Sequence, residues 1–377
     1  MAEQEWDFPK PEYERRVSAV RKEMAARKID VLIVDQFEHL VYLFGYLPTA
    51  AKYQACLLPL EGEPQMIVRA MDRPVFDHQS WVTSYREFAD VDDPLDVLLD
   101  ELVNKFRSVS SVGLEMDSHI LTVKRYRHLT EKFPYCCFVD FSGVLAEMRL
   151  IKSPAEIDYL RQAAAIADSC MAAAINTAGI GVNEREAAAE AYGTAMRAGA
   201  DNGRVLLVAS GSQSGSIHGR LGTRILADGD ILHLEMVPQV RGYSARLMRP
   251  TSIGTPKPEI VSLAKRLVEI QDEQIAAIAP GKTGGEIDAI GRTKILDELD
   301  RSSYRNHTGY TLGYHAQPRT SDHTRIFTPS AKWRLEAGMV FHMFVAVRGI
   351  AFGETILVTQ IGSERLTQTS RQLFSCH

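Results

Sequence analysis

Three acid–base side chains in the 377-residue chain are candidates for chemistry: His218, Glu235 and Glu354. His218 follows the small, polar stretch Gly211-Ser-Gln-Ser-Gly-Ser-Ile217. A neutral imidazole there can take a proton from water or a nucleophile and return it to a leaving nitrogen. The alternative is an exposed loop histidine. Glu235 interrupts the largely apolar run Ile231-Leu-His-Leu-Glu-Met-Val237, and a buried carboxylate is costly unless it is paired. A cationic partner that offers two N–H groups would pair it through two parallel charge-assisted hydrogen bonds. Two other roles stay open: nucleophilic attack on a substrate carbon to form a covalent intermediate, or a structural ion pair with Arg246 or Arg249. Glu354 opens the strand-like GETILV and is expected as a second carboxylate at the same cleft, with the two pKa values pushed apart. The alternative is a solvated strand end. Arg246 and Arg249 sit three apart on one strand, so they point to opposite faces and one of them is expected to reach the cleft.

Residues 1–150 alternate helical and strand-like segments. Val17, Val20 and Met24 recur at helical spacing, and IDVLIV (Ile29 to Val34) reads as a buried strand. Two further strands flank the turn Glu61-Gly62-Glu63, and SVGLEMD and CCFVDFS flank a helix over Val123 to Lys132. This order predicts an α/β domain with a mixed sheet. No Gly-rich phosphate loop follows any of its strands. From residue 151 the texture changes. Ser153 and Glu156 form a capping box on a helix that starts at Pro154 and runs to about Thr177, followed by a helix over Val182 to Ala198. Strand-like runs come next: RVLLVAS, DILHLEMV and SARLMRPTSI. The order then repeats, with helices over Glu259 to Ala279 and on to Leu299, then GYTLGYH, MVFHMFVAV and ETILVT. Two helix–helix–strand–strand–strand halves predict a duplicated unit with a cleft between half-sheets.

With 45% hydrophobic and 24% charged residues spread evenly, the chain is expected to fold into compact domains. A net charge of −5 opposes binding to nucleic acid or an anionic membrane surface. The polar opening MAEQEWDFPKPEYERR is unlike a signal peptide, no apolar run approaches a membrane span, and five cysteines form no CxxC motif. A cytoplasmic protein with reduced thiols is expected.

The motifs RLIKSPAEI, GDILHLE, GYxxG (Gly309, Tyr310, Gly313), LEAGMVF and ETILVT resemble, in that order, those of the pita-bread family of creatinase, prolidase, aminopeptidase P and methionine aminopeptidase. The resemblance covers the whole chain. It implies a creatinase-type α/β domain over 1–150 and an α+β pita-bread catalytic domain over 151–377, whose half-sheets are related by a pseudo-two-fold. The family's peptidases bind two metal ions through two Asp, one His and two Glu. Carried over residue by residue, these fall on Glu235, Arg246, Tyr310, Phe344 and Gly353. Four of the five ligands are therefore replaced, one of them by a cation, and no metal or other cofactor is expected.

The chain resembles instead the metal-free hydrolase branch of the family, ectoine hydrolases more than creatinase, in the GYxxG tyrosine, in Phe341-His342, in Glu235, in Glu354 and in His218. It departs from ectoine hydrolases at Arg246 and Ala351. The resemblance implies metal-independent hydrolysis of a C–N bond in a small zwitterionic amidine or guanidine. His218, Glu235 and Glu354 would be catalytic, while Arg246, Tyr310 and His342 would bind substrate, Arg246 gripping a carboxylate with both arms of its fork. His233 shares a face with Glu235 and is a lesser candidate. His315 and His323 receive no role, and Phe344 reads as packing. Two other functions remain: a Xaa-Pro peptidase with an atypical metal site, and an inactive scaffold that binds a metabolite. Relatives of this kind also imply a homodimer, in which residues near Phe44-Gly-Tyr46 or Arg69 would complete the partner's site.

Overall fold

The computed structural model describes residues 6–106, 109–201, 206–211, 215, 219–299, 304–316, 319 and 321–377. The chain divides into two compact units, residues 1–148 with 316–318, and residues 149–315 with 319–377. Among the described residues no helix is long and apolar enough to cross a membrane.

The first unit carries strands β1 (Val31–Val34), β2 (Ala55–Pro59), β3 (Gln65–Arg69), β4 (Tyr85–Phe88), β5 (Ser111–Leu114) and β6 (Cys137–Asp140) in the order β4-β3-β2-β1-β5-β6. β2 pairs antiparallel with β1 and β3, while β1–β5, β5–β6 and β3–β4 are parallel, so the sheet is mixed as the segment order predicts. The β2–β3 hairpin turns at Gly62, whose φ of +99° suits a residue without Cβ. Leu95, Leu98, Leu99 and Leu102, at helical spacing on Pro94–Lys105, pack with Ile33, Leu57, Ile67 and Val112 of the sheet into one core.

One carboxylate sits inside this unit. Asp35 follows β1 and is buried; Ser118 Oγ donates to it at 2.6 Å and Tyr53 Oη at 3.2 Å. Burial, with Glu115 nearby, raises its pKa from 3.8 to about 7, although the two hydrogen bonds and Arg125 pull the other way. Between these limits the folded protein holds a proton that the unfolded chain has released. Asp35 therefore stabilises the fold most at low pH, and its contribution is lost as pH rises through about 7. Relative to Asp35→Asn, the wild type is expected to lose about 3 kcal/mol between about pH 4.5 and about pH 8 in urea unfolding. Parallel pH profiles of the two proteins would refute this.

The second unit is built twice. Each half opens with a helix pair, Pro154–Thr177 with Glu184–Arg197, then Pro258–Ala276 with Gly284–Lys294. The two turns between paired helices share a bonding pattern. Gly181 (φ +83°) donates its N–H to Leu226 O and Gly281 (φ +88°) to Leu335 O, both at 2.8 Å. Leu226 and Leu335 return the bond to Val182 and Lys282, again at 2.8 Å. Asn183 and Thr283 then cap the second helices.

After the first pair come β7 (Leu206–Ser210), β8 (Ile231–Met236), the short β9 (Gln239–Val240) and β10 (Tyr243–Ser244), and β11 (Leu247–Ile253). After the second come β12 (Gly309–Thr311), β13 (Val340–Val347), β14 (Ile350–Val358), β15 (Ser363–Arg365) and β16 (Phe374–Cys376). The main sheet runs β12-β13-β14-β11-β8-β7, antiparallel along this path, so the two half-sheets meet at β11–β14. β15 extends β14, and β16 lies parallel to β11.

Candidate active site

Strand alternation sorts the side chains of this sheet between two faces. Phe341, Met343, Val345, Phe352 and Ile356 enter the apolar cores against the helices. The residues between them, His342, Phe344, Gly353 and Thr355, therefore face the other way. Register brings more residues onto that second face. Glu235 pairs with Met248, Met248 with Gly353 and Gly353 with Phe344. In the next row Tyr310 pairs with His342, and His342 with Thr355. The positions 235, 246, 310, 344 and 353 thus converge, although they span well over 100 residues of sequence.

Arg246 joins them. Its Nη1 donates to Glu235 Oε1 at 2.6 Å and its Nη2 to Ser321 Oγ at 2.7 Å, while its guanidinium carbon lies 5.9 Å from the Tyr310 ring centre. Thr355 fixes the backbone beneath: its Oγ1 accepts from Arg246 N at 2.8 Å and donates to Arg246 O at 2.9 Å. Both arms of the fork that the sequence offered to a substrate carboxylate thus already hold protein groups. Glu235 is 1% exposed, and among the described residues its Oε2 accepts no hydrogen bond.

Tyr310 lies in a cluster of rings. The Tyr310 centroid is 5.2 Å from that of His342, 6.2 Å from Phe344, 5.3 Å from His307 and 4.6 Å from His323. His342 stacks on Phe344 at 5.3 Å and 17°, distances at which ring pairs attract beyond their buried area. The imidazole also fills the space over Gly353, where a Cβ would come 2.5 Å from His342 Cε1. His342 therefore occupies the volume that a glutamate at 353 would need. Neither of its ring nitrogens completes a well-formed hydrogen bond among the described residues, although the Glu354 backbone approaches the ring.

Burial works against charge on Arg246, but Tyr310 and Glu235 outweigh it and raise its pKa. Burial raises the Tyr310 phenol, with Arg246 offsetting part of the rise, so Tyr310 stays protonated. Burial and Arg246 push His342 well below the ordinary imidazole range and His315 down to about 3, so both are neutral near pH 7.

Glu354 corrects the sequence-based expectation of a second carboxylate in the same cleft. It alternates with Phe352 and Ile356, on the helix-covered face opposite Glu235, and is fully buried rather than a solvated strand end. Arg249 Nη2 lies 2.7 Å from its Oε1, Arg371 Nε 3.4 Å and Arg365 Nη1 3.8 Å, and Thr367 Oγ1 donates to its Oε2 at 2.5 Å. Arg249 also donates to the carbonyls of Met248, Thr369 and Ser370, at 2.7, 2.7 and 2.9 Å. The Glu354 cluster thus ties the carboxyl-terminal segment to the sheet.

The structure therefore brings together Glu235, Arg246, Tyr310 and His342, and separates Glu354 from them. His218 lies outside the described residues. His233, two positions before Glu235, is fully buried. Ser321, His307 and His323 also belong to the site, and sequence reasoning missed them. Their polar loops carry no periodicity, and only the fold brings them to Tyr310.

The donor set does not fit a pair of divalent metal ions. The five positions supply one carboxylate, and a guanidinium sits 2.6 Å from it; Phe344 and Gly353 have no donor atom. Among the described residues, the one group of three His, Cys, Asp or Glu close enough to share an ion is Asp93, Asp96 and His128, in the other unit.

Comparison with known proteins agrees with this architecture over nearly the full length. The chain is 28% identical to an ectoine hydrolase from Halomonas elongata, over 97% of this chain and 98% of that one. It is 26% identical to a Xaa-Pro dipeptidase from Pyrococcus horikoshii, over 95% and 98%. The prolidase structure from Pyrococcus horikoshii OT3 superposes with a TM-score of 0.82 at 24% identity, covering 96% of this chain and all of that one, and so shares the fold. Residues 16–151 match the creatinase/prolidase N-terminal domain and residues 158–360 match metallopeptidase family M24. The chain belongs to metallopeptidase family M24, with a guanidinium, a phenol and an imidazole grouped near the Glu235 carboxylate.

Proposed function

We infer that this M24 hydrolase works without a metal and cleaves a C–N bond in a small zwitterionic amidine or guanidine, ectoine before creatine. The buried Glu235–Arg246 pair carries the reading. It is a dipole of one carboxylate and one guanidinium; among the described residues nothing donates to Oε2, and Tyr310 and His342 nearby are neutral. Such a dipole complements a zwitterion: the amidinium meets Glu235 Oε2, and the substrate's carboxylate meets the positive charge of Arg246. Tyr310 donates its phenol hydrogen to the substrate and His342 packs against it. His218 takes a proton from water as its oxygen bonds to the amidine carbon, then delivers that proton to the nitrogen as the C–N bond breaks. The similarity to a Halomonas ectoine hydrolase supports this substrate class, and the replaced ligands support metal independence.

The similarity to Xaa-Pro dipeptidases favours a second reading, peptide hydrolysis. The two separate in one assay, mass spectrometry of ectoine incubated with the enzyme in EDTA. Accumulation of a product one water heavier is the expected result. No product from ectoine or creatine in EDTA, together with manganese-dependent cleavage of a Xaa-Pro dipeptide, would overturn the proposal.

A further inference from the structure

We propose that Ser321–Asp322–His323 is the substrate-selecting segment of this site: Ser321 sets the Arg246 guanidinium, and His323 is the ring against which the planar C–N group of the substrate lies. The inference rests on reading the Glu235–Arg246 pair as a receptor for a zwitterion.

Three neighbouring residues meet three different needs. Ser321 Oγ, 2.7 Å from Arg246 Nη2, fixes the arm of the fork that Glu235 does not hold. His323 is solvent-exposed, yet its ring lies 4.6 Å from that of Tyr310 and 5.7 Å from that of half-buried His307. Tyr310, His342 and Phe344 are buried, so His323 is the part of this ring cluster that an arriving ligand meets first.

Asp322 explains why the segment is held in place. Its carboxylate is 5% exposed, and its Oδ1 accepts from Thr324 N at 2.9 Å and Thr324 Oγ1 at 2.6 Å. Thr311 Oγ1 donates to Asp322 O at 3.2 Å and accepts from Arg325 N at 3.1 Å, and Thr311 N donates to Arg325 O at 3.0 Å. The loop is thereby sewn to β12, next to Tyr310. Burial disfavours the Asp322 carboxylate, but Arg149 and Lys152 with the Thr324 bonds outweigh it and keep it ionised. Asp322 is thus a positioning residue. Burial, with Arg246 and Arg319 nearby, lowers the His323 pKa against the pull of Asp322, leaving a neutral π-face for a cation.

The test is calorimetric titration of ectoine, and separately of creatine, into wild type, His323→Ala, His323→Phe and Asp322→Asn, with kcat and KM measured alongside. His323→Ala is expected to weaken binding and raise KM about tenfold with kcat within about threefold. His323→Phe restores the affinity, because a ring face suffices, and Asp322→Asn weakens binding as His323→Ala does. Exposed His323 can be replaced without unfolding, which keeps the test informative if Asp322→Asn is unstable. A His323→Ala enzyme that binds as tightly as wild type overturns the inference alone. A wild type that binds neither compound overturns the zwitterion reading and this inference with it.

Discussion

Glu235→Gln is expected to lower kcat/KM on ectoine by about 1,000-fold or more, equivalent to about 4 kcal/mol of transition-state stabilisation. Glutamine keeps the shape and can still accept from Arg246 through its carbonyl, so packing changes little. It removes the charge that Oε2 would present to an amidinium and places an N–H donor there instead. It also removes the negative charge 2.6 Å from the Arg246 guanidinium, which is 6% exposed. A reaction that depends on binding a cation in a buried site then loses both the attraction and the electrostatic balance around it. Steady-state kinetics in EDTA is the measurement, with calorimetry to confirm that the substituted protein is folded. A value within tenfold of wild type would remove Glu235 from the reaction and leave the Glu235–Arg246 pair as structural.

The largest effect on stability is expected at Glu354. Glu354→Gln should cost about 3–5 kcal/mol in urea unfolding, the range for removing one partner of a buried ion pair. Arg249 is fully buried, with Nη2 2.7 Å from the carboxylate, and Arg371 and Arg365 add positive charge nearby. Without the glutamate, fully buried Arg249 loses the carboxylate that opposes its charge and keeps Arg371 nearby. Substituting both partners, Glu354→Leu with Arg249→Met, should be less damaging than Glu354→Gln alone, because no buried charge is left unopposed. The folded fraction of Glu354→Gln should keep the wild-type KM, since its side chain lies on the face away from Glu235. A loss of stability below about 1 kcal/mol would show that the cluster is not a mainstay of this unit.

These two carboxylates show how far a linear reading reaches. Both lie in strands, both interrupt apolar runs, and from composition alone they look alike. Alternation along β14 places Glu354 beside Phe352 and Ile356, and the pairing of β8, β11, β14 and β13 places Glu235 in register with Gly353 and Phe344. The spacing of Arg246 and Arg249 carries the same information. Three residues apart in a strand means opposite faces, and each arginine meets a different glutamate. What the spacing lacks is the second partner of each: Ser321 for Arg246, and the carbonyls of Thr369 and Ser370 for Arg249.

Local sequence determined the elements themselves. The capping box at Ser153 and Glu156, the Gly-bearing turns at 181 and 281, the hairpin at Gly62 and the alternation of helix pairs with three-strand sets are all written in short-range propensity. The mixed first sheet and the recurring helix–strand order were legible in these signals, while the two-unit pita-bread fold was implied by the family resemblance of the motifs that follow one another along the chain. Which side chains stand at 235, 246, 310, 344 and 353 was legible too, because it concerns which atoms are present. The use made of those positions was not. His342 fills the space above Gly353, and Arg246 is held between Glu235 and Ser321. Such contacts depend on register between strands distant in the chain and on loops without periodicity, so they arise only when the sheet closes and brings β8, β11, β12, β13 and β14 side by side.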